Sequence, residues 1–236
     1  MNIALIIAGG AGERMGQDIP KQFLTVNEKP VIVYTLEAFQ KHPRIDEIDV
    51  VCIDGWEKTL SAYAKQFGID KLNRIFPGGT NGQSSIRSGV TGLQEDHDGD
   101  DIVLIHDAIR PMVSEDIISD CLIKTEQYGC AITVIPCAEA MLTTENGESS
   151  QESYPRDNLK RTQTPQGFRL KQLIQIHKEA LEKEITNSIA SCTLMVELGY
   201  PVYFSMGSEK NIKLTTVEDL DIFKALLATK RAEWLK

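Results

Sequence analysis

Residues 3–8, Ile-Ala-Leu-Ile-Ile-Ala, form an unbroken apolar run of strand length. A strand wetted on one side alternates apolar and polar residues. An unbroken run marks a strand covered on both faces, as in a parallel sheet flanked by helices. The run empties into Gly9, Gly10, Ala11 and Gly12, with Arg14 and Lys21 following. Ala8 and these small residues let backbone N–H groups approach an anion closely, and the two cations would neutralise it. A buried strand feeding such a loop reads as a polyphosphate site. Taken alone, the glycine cluster would serve equally well as a flexible turn.

The rest of the chain repeats the theme. Helical periodicity opens at Pro30, and strand-like runs at 48–53, 74–76, 102–105 and 131–135 alternate with helical stretches at 56–67, 84–93 and 114–128. This βαβα order predicts an α/β fold: a Rossmann-like, mostly parallel sheet with helices on both faces. Ligands of such sheets sit at the carboxyl ends of the strands, where the Gly9–Gly12 loop and His106-Asp107-Ala108 fall. Between about Cys137 and Gln163 the pattern breaks. Met141-Leu-Thr-Thr144, a turn around Asn146-Gly147, and 152–156 resemble a protruding hairpin with little core of its own. A partner subunit is the natural surface for it. Helices at 170–183 and 188–198, a strand at 201–204 and a helix at 216–234 complete one domain, 1–236, with a dimerisation arm at 138–163.

The 236 residues carry a net charge of −9, which argues against a nucleic-acid or anionic-membrane surface while leaving room for a small anionic substrate. No apolar run is long enough to span a bilayer, and no secretory signal is visible. Five scattered cysteines read as reduced, buried thiols, so a cytoplasmic location is expected.

Three further segments carry candidate chemistry. Asp107, at a strand's carboxyl end beside the glycine loop, is placed to hold Mg²⁺, or equally to cap the loop that follows. His106 reads as structural. Gly78-Gly79-Thr80 with Ser84-Ser85 opens a helix and could read a base edge, or simply cap that helix. Lys213 lies in Asn211-Ile212-Lys213, near the end of the sheet.

Together the stretches AGGAGERMG…PKQF, PGGTNGQSS, HDAIRP, RDNLKRTQTPQ and NIKLTT resemble, in order and spacing, the cytidylyltransferases that make CDP-activated polyols, over roughly residues 2–225. That group includes the methylerythritol-phosphate and ribitol-5-phosphate enzymes, and AGG-x-G-x-RMG is closer to the ribitol branch. The resemblance implies that CTP and a polyol phosphate give a CDP-polyol and pyrophosphate, by in-line attack that needs no general base. It implies Mg²⁺ on Asp107, with Arg14 and Lys21 on the triphosphate and Lys213 on the α-phosphate. Gly79, Thr80 and Ser85 would contact cytosine. Arg156 would reach from the arm into a partner's site to grip the acceptor phosphate, making the enzyme a homodimer. Arg110 and Glu139 would also lie on the acceptor side.

Departures from the family gather on that side. Glu139-Ala140 replaces the usual Asp-Thr, Ala190 (or Asn187 in a shifted register) stands where an Asp is usual, and Gly82 replaces an Arg. A pocket that exchanges polar partners selects a different substrate. The acceptor is therefore expected to be ribitol 5-phosphate, glycerol phosphate or another alditol phosphate, feeding teichoic acid or capsule synthesis, rather than methylerythritol phosphate. Two rivals are an NAD(P)-binding oxidoreductase and an inactive nucleotide-binding relative. The first leaves Arg14 and Lys21 unexplained and puts Asp54 too far along the chain. A P-loop is weaker still, since no Gly-Lys-Ser/Thr follows the glycines.

Overall fold

The computed structural model describes residues 1–10 and 19–230. In chain order the elements are β1 (Asn2–Ala8), β2 (Thr25–Val26), β3 (Lys29–Pro30), α1 (Val31–Lys41), β4 (Glu47–Cys52), α2 (Glu57–Gln66), β5 (Leu72–Pro77), α3 (Gly82–Leu93) and β6 (Ile102–Asp107). There follow α4 (Glu115–Tyr128), β7 (Cys130–Pro136), β8 (Met141–Thr143), β9 (Glu152–Tyr154), β10 (Lys160–Arg169), α5 (Leu170–Glu182), α6 (Ser191–Glu197), β11 (Phe204–Met206) and α7 (Val217–Lys230). Of the last expected helix, the part beyond 230 lies outside the described residues.

Seven strands form the central sheet in the order β11-β7-β10-β6-β1-β4-β5. β1 runs parallel to β4 and β6, β4 to β5, and β7 to β11; only β10 is antiparallel to its neighbours. The apolar run of β1 splits by the period of two. Ala4, Ile6 and Ala8 join the core under α1, α2 and α4, while Ile3 and Leu5 join the one under α3, α5 and α6. Both faces are dry, as the unbroken run required. Local chemistry marks the helix ends. Asn81 caps α3 by accepting from the Ser84 N–H at 2.8 Å, and Gly129, at φ +86°, terminates α4.

Two expectations change. The arm does not extend to 163, because Lys160, Arg161 and Thr162 already pair with β7 inside the sheet. β10 escapes sequence reading because Lys-Arg-Thr-Gln-Thr-Pro-Gln-Gly-Phe-Arg is polar and contains a proline, both marks against a central strand. Its ladder breaks between Thr162 and Gln166, and its buried amides find partners instead. The final strand lies at Phe204–Met206 rather than 201–204.

His177 on α5 is only 4% exposed, and neither ring nitrogen has a hydrogen-bond partner among the described residues. Burial, helped by Arg87, pushes its pKa down from 6.5 to about 4. The unfolded chain therefore takes up a proton that the fold refuses. The contribution to stability is complete above the unfolded pKa and is lost as pH falls toward the folded one. His177→Leu should remove about 3 kcal/mol of acid destabilisation across that window, at about 1.4 kcal/mol per pKa unit. Urea midpoints of both proteins from pH 7 to 4 measure this, and parallel pH profiles would refute it.

Candidate active site

A cleft of about 570 Å³ opens at the carboxyl ends of the strands. Ile7, Ala8, Gly9 and Gly10 line it from the end of β1, Lys21 and Gln22 from the turn beyond, and Gly79, Thr80, Asn81, Gly82 and Ser85 from the start of α3. Asp107, Ala108 and Ile109 come from the end of β6, and Lys213 from the loop before α7. Most sequence-predicted nucleotide residues thus converge on one space. Ala11, Gly12 and Arg14 lie outside the described residues. A second hollow of similar volume lies within the arm's own turn, between Thr143 and Glu152, and no cation lines it.

The two small-residue loops touch backbone to backbone. A Cβ on Gly9 would meet the Ser85 Oγ at 2.9 Å and the Gly78 Cα at 3.2 Å; one on Gly78 would meet the Cys52 carbonyl at 3.0 Å. Ser85 accepts from the Gly79 N–H at 2.9 Å, so its hydroxyl shapes the loop that sequence reading assigned to the base. Gln22 carries a role that sequence reading missed. It is 2% exposed, and its amide donates to the Ala8 carbonyl at 2.7 Å and the Gly10 carbonyl at 3.1 Å. Both carbonyls are thereby occupied on the protein side, which favours presentation of N–H groups to an anion. The signal was an amide directly after Lys21 in PKQF.

Asp107 and Lys213 face one another, with Nζ at 3.2 Å from Oδ1 and 3.1 Å from Oδ2. Burial works to raise the Asp107 pKa, but Lys213 and Arg110 outweigh it and hold the carboxyl below its ordinary value. It is an ionised oxygen donor at neutral pH. Arg110 donates from Nε to Asp107 Oδ2 at 3.1 Å and from Nη1 to the Asn211 carbonyl at 2.7 Å. Expected on the acceptor side, it braces the site from behind. His106 is fully buried, with Nδ1 3.0 Å from the Thr164 Oγ and Nε2 3.2 Å from the Arg110 carbonyl. A carbonyl only accepts, so Nε2 carries the proton and Nδ1 accepts from Thr164. Burial pushes the ring's pKa down to about 4, so it stays neutral. Thr164 in turn accepts from the Asp107 N–H at 3.1 Å.

Asp107 is the one carboxylate among the described residues that line the cleft, and those residues contain no cluster of three or more metal-ligating side chains. That donor set suits Mg²⁺, which is commonly bound by one or two carboxylates together with substrate phosphates. Glu139 and Arg156 do not line the cleft of their own chain. Arg156 folds back onto the base of the arm, donating to the Ala138 carbonyl at 2.7 Å, and Glu139 lies 3.8 Å from Arg161. Among the described residues no helix is long and apolar enough to cross a membrane.

Comparison with known proteins agrees with this geometry. The family described as IspD, 2-C-methyl-D-erythritol 4-phosphate cytidylyltransferase, matches residues 2–229. A ribitol-5-phosphate cytidylyltransferase of Lacticaseibacillus paracasei is 44% identical over 232 residues, covering 98% of this chain and 99% of its own. A 2-C-methyl-D-erythritol 4-phosphate cytidylyltransferase of Clostridium botulinum is 36% identical over 228 residues, covering 96% and 97%. The crystal structure of the 2-C-methyl-D-erythritol 4-phosphate cytidylyltransferase of Francisella tularensis superposes with a TM-score of 0.80 at 27% identity, covering 95% and 98%. A mostly parallel sheet, a glycine-lined cleft at its carboxyl edge and similarity along nearly the whole length place this nucleotidyltransferase in the IspD family of cytidylyltransferases.

Proposed function

We propose that the protein transfers CMP from CTP to ribitol 5-phosphate, giving CDP-ribitol and pyrophosphate for teichoic acid or capsule synthesis in the cytoplasm. The placement of Lys213 and Asp107 opposite the glycine loop, at the mouth of three parallel strands, carries the reading of the chemistry. An acceptor phosphate oxygen attacks the α-phosphorus of CTP in line. A new oxygen–phosphorus bond forms, the bond to the bridging oxygen breaks, and pyrophosphate leaves. A phosphate is already anionic near neutral pH, so positioning and charge neutralisation supply the catalysis. Lys21 and Arg14 serve the triphosphate, Lys213 the α-phosphate, and Gly79 and Thr80 the base. Asp107 would hold Mg²⁺, which supplies further neutralisation of the phosphates when bound.

The acceptor reading rests on identity: 44% to a relative named for ribitol 5-phosphate against 36% to one named for methylerythritol phosphate. Glu139-Ala140 at the arm base agrees with a changed acceptor pocket. The second reading, methylerythritol phosphate as acceptor, is favoured by the family description itself. Pyrophosphate release with CTP and Mg²⁺, measured across ribitol 5-phosphate, glycerol phosphate and methylerythritol phosphate, separates them. Release with ribitol 5-phosphate is expected, and equal or faster release with methylerythritol phosphate would reverse the assignment.

Gln22→Met should remove the amide donor of the Gly10 carbonyl and leave the Ala8 carbonyl with the Ile53 N–H alone. At about 1–2 kcal/mol for such a loss, CTP should bind roughly tenfold more weakly by calorimetry. Unchanged affinity would remove Gln22 from the loop's support.

A homodimer in which Arg156 serves the neighbouring site is supported by two features: the arm is exposed along both strands, and Arg156 does not line its own cleft. Arg156→Ala and Lys213→Ala proteins, each inactive, should complement when mixed and allowed to exchange subunits. Recovery should approach about a quarter of wild-type activity, because half the dimers are mixed and each has one complete site. A mixture that stays inactive despite exchange would place Arg156 in its own chain's site.

A further inference from the structure

Lys213 sits in an irregular segment between β11 and α7, yet the proposed chemistry asks it to place a charge accurately. A lysine has a long flexible stem, so its ammonium is only as well placed as the backbone that carries it. We propose that Gln163, which does not line the cleft, is the positioning residue that sets this backbone and thereby aims Lys213. The proposal rests on the function inferred above for Lys213.

Gln163 lies at the break in the β10 ladder between Thr162 and Gln166, where an irregular strand can re-aim a side chain. It is 5% exposed. Its Nε2 donates to the Ser208 carbonyl at 2.9 Å, and its Oε1 accepts from the Ser208 N–H at 3.2 Å, so one amide grips both polar groups of one residue. The same Oε1 accepts from Asn211 Nδ2 at 3.3 Å. Asn211 is fully buried and its side-chain amide also donates to the Thr164 carbonyl at 2.8 Å, while its backbone carbonyl accepts from Arg110. Three residues beyond Asn211, the Leu214 N–H donates to the Ile109 carbonyl at 2.9 Å, with the leucine side chain buried. Lys213 is thus carried between two buried anchors, with its ammonium against Asp107. Gly207 supports the amide's seat, because a Cβ there would meet Gln163 Oε1 at 2.6 Å and the Val134 carbonyl at 2.7 Å.

Gln163→Met keeps the length of the side chain and removes its hydrogen bonds. The test compares it, in the full-length protein, with wild type, Lys213→Ala, Gln163→Glu and Thr133→Val. Thr133 is also fully buried and bonded, to the Pro165 carbonyl at 2.6 Å, but makes no hydrogen bond to Gln163, Ser208 or Asn211. A misplacement of about 1 Å can cost about a hundredfold in rate, so kcat for pyrophosphate release should fall roughly 10- to 100-fold in Gln163→Met. The dissociation constant for CTP should stay within about threefold, because the glycine loop and base loop are untouched. Gln163→Glu keeps the acceptor half of the grip and should fall in between. Amide exchange protection over residues 207–214 should drop in Gln163→Met and persist in Thr133→Val.

Wild-type kcat in Gln163→Met, or an equal kcat loss in Thr133→Val at matched unfolding midpoint, would overturn the proposal. So would unchanged exchange protection over 207–214. The exchange measurement needs no turnover. A wild-type protein silent on every acceptor would therefore overturn the functional reading while still judging whether Gln163 holds the loop.

Discussion

The parallel pairing of β1 with β4 and β6 is the constraint from which the rest follows. Ala8 pairs with Cys52 and Ile7 with Asp107, so three chain exits reach the same edge of the sheet. Parallel strands cannot be joined by tight turns, so each exit must loop away to a helix. The loops therefore gather at that edge and leave a cleft between them. Two loops then approach so closely that Gly9 and Gly78 meet backbone to backbone. A Cβ at either position would press on the opposite loop, which would have to give way by a few tenths of an ångström.

The cleft handles charge locally. Net charge is −9 over the whole chain, yet Lys21 and Lys213 line the cleft beside Asp107, the one carboxylate among the described residues that line it. That carboxylate is set by competition: burial favours its neutral form, and two cations, Lys213 and Arg110, favour the ion and prevail. The buried His106 contributes geometry. Its neutral ring closes a chain of hydrogen bonds from the Asp107 N–H through Thr164 to the Arg110 carbonyl. One arrangement of donors satisfies every member, which makes the site stiff before any ligand arrives.

The arm obeys different physics. β8 and β9 pair only with each other, and Met141, Leu142 and Tyr154 are exposed on them. A two-stranded ribbon is at best marginally stable by itself. Its turn is held internally, Asn146 Oδ1 accepting from the N–H groups of Glu148 and Ser149 at 3.0 Å each. Arg156 returns to the base of the arm. Relatives in the family to which this chain belongs are named for different acceptors, ribitol 5-phosphate and 2-C-methyl-D-erythritol 4-phosphate. An acceptor pocket assembled partly from a solvent-facing ribbon can vary without disturbing the packed sheet.

Much of this was open to reading in the chain itself. The apolar run at 3–8, the small-residue loops and the helix-strand alternation are local patterns, and local patterns survive in a sequence because each reflects nearest neighbours along the chain. They were enough for the α/β class, the cleft's edge of the sheet, and Gly9, Gly79, Asp107 and Lys213 as its residues. The antiparallel β10 was hidden. Its polar, proline-containing sequence is stabilised by partners in β6 and β7 and by amide contacts to distant segments, none of which leaves a periodic trace. Gln22, Gln163 and Asn211 were hidden for the same reason: an amide's worth depends on what faces it. Sequence by itself determined the kinds of element and the chemistry available at their ends, because periodicity and residue type are properties of the chain. Only the tertiary structure decided which buried polar groups answer one another, because a hydrogen bond between residues 48 positions apart, as between Gln163 and Asn211, exists only once the sheet has brought them together.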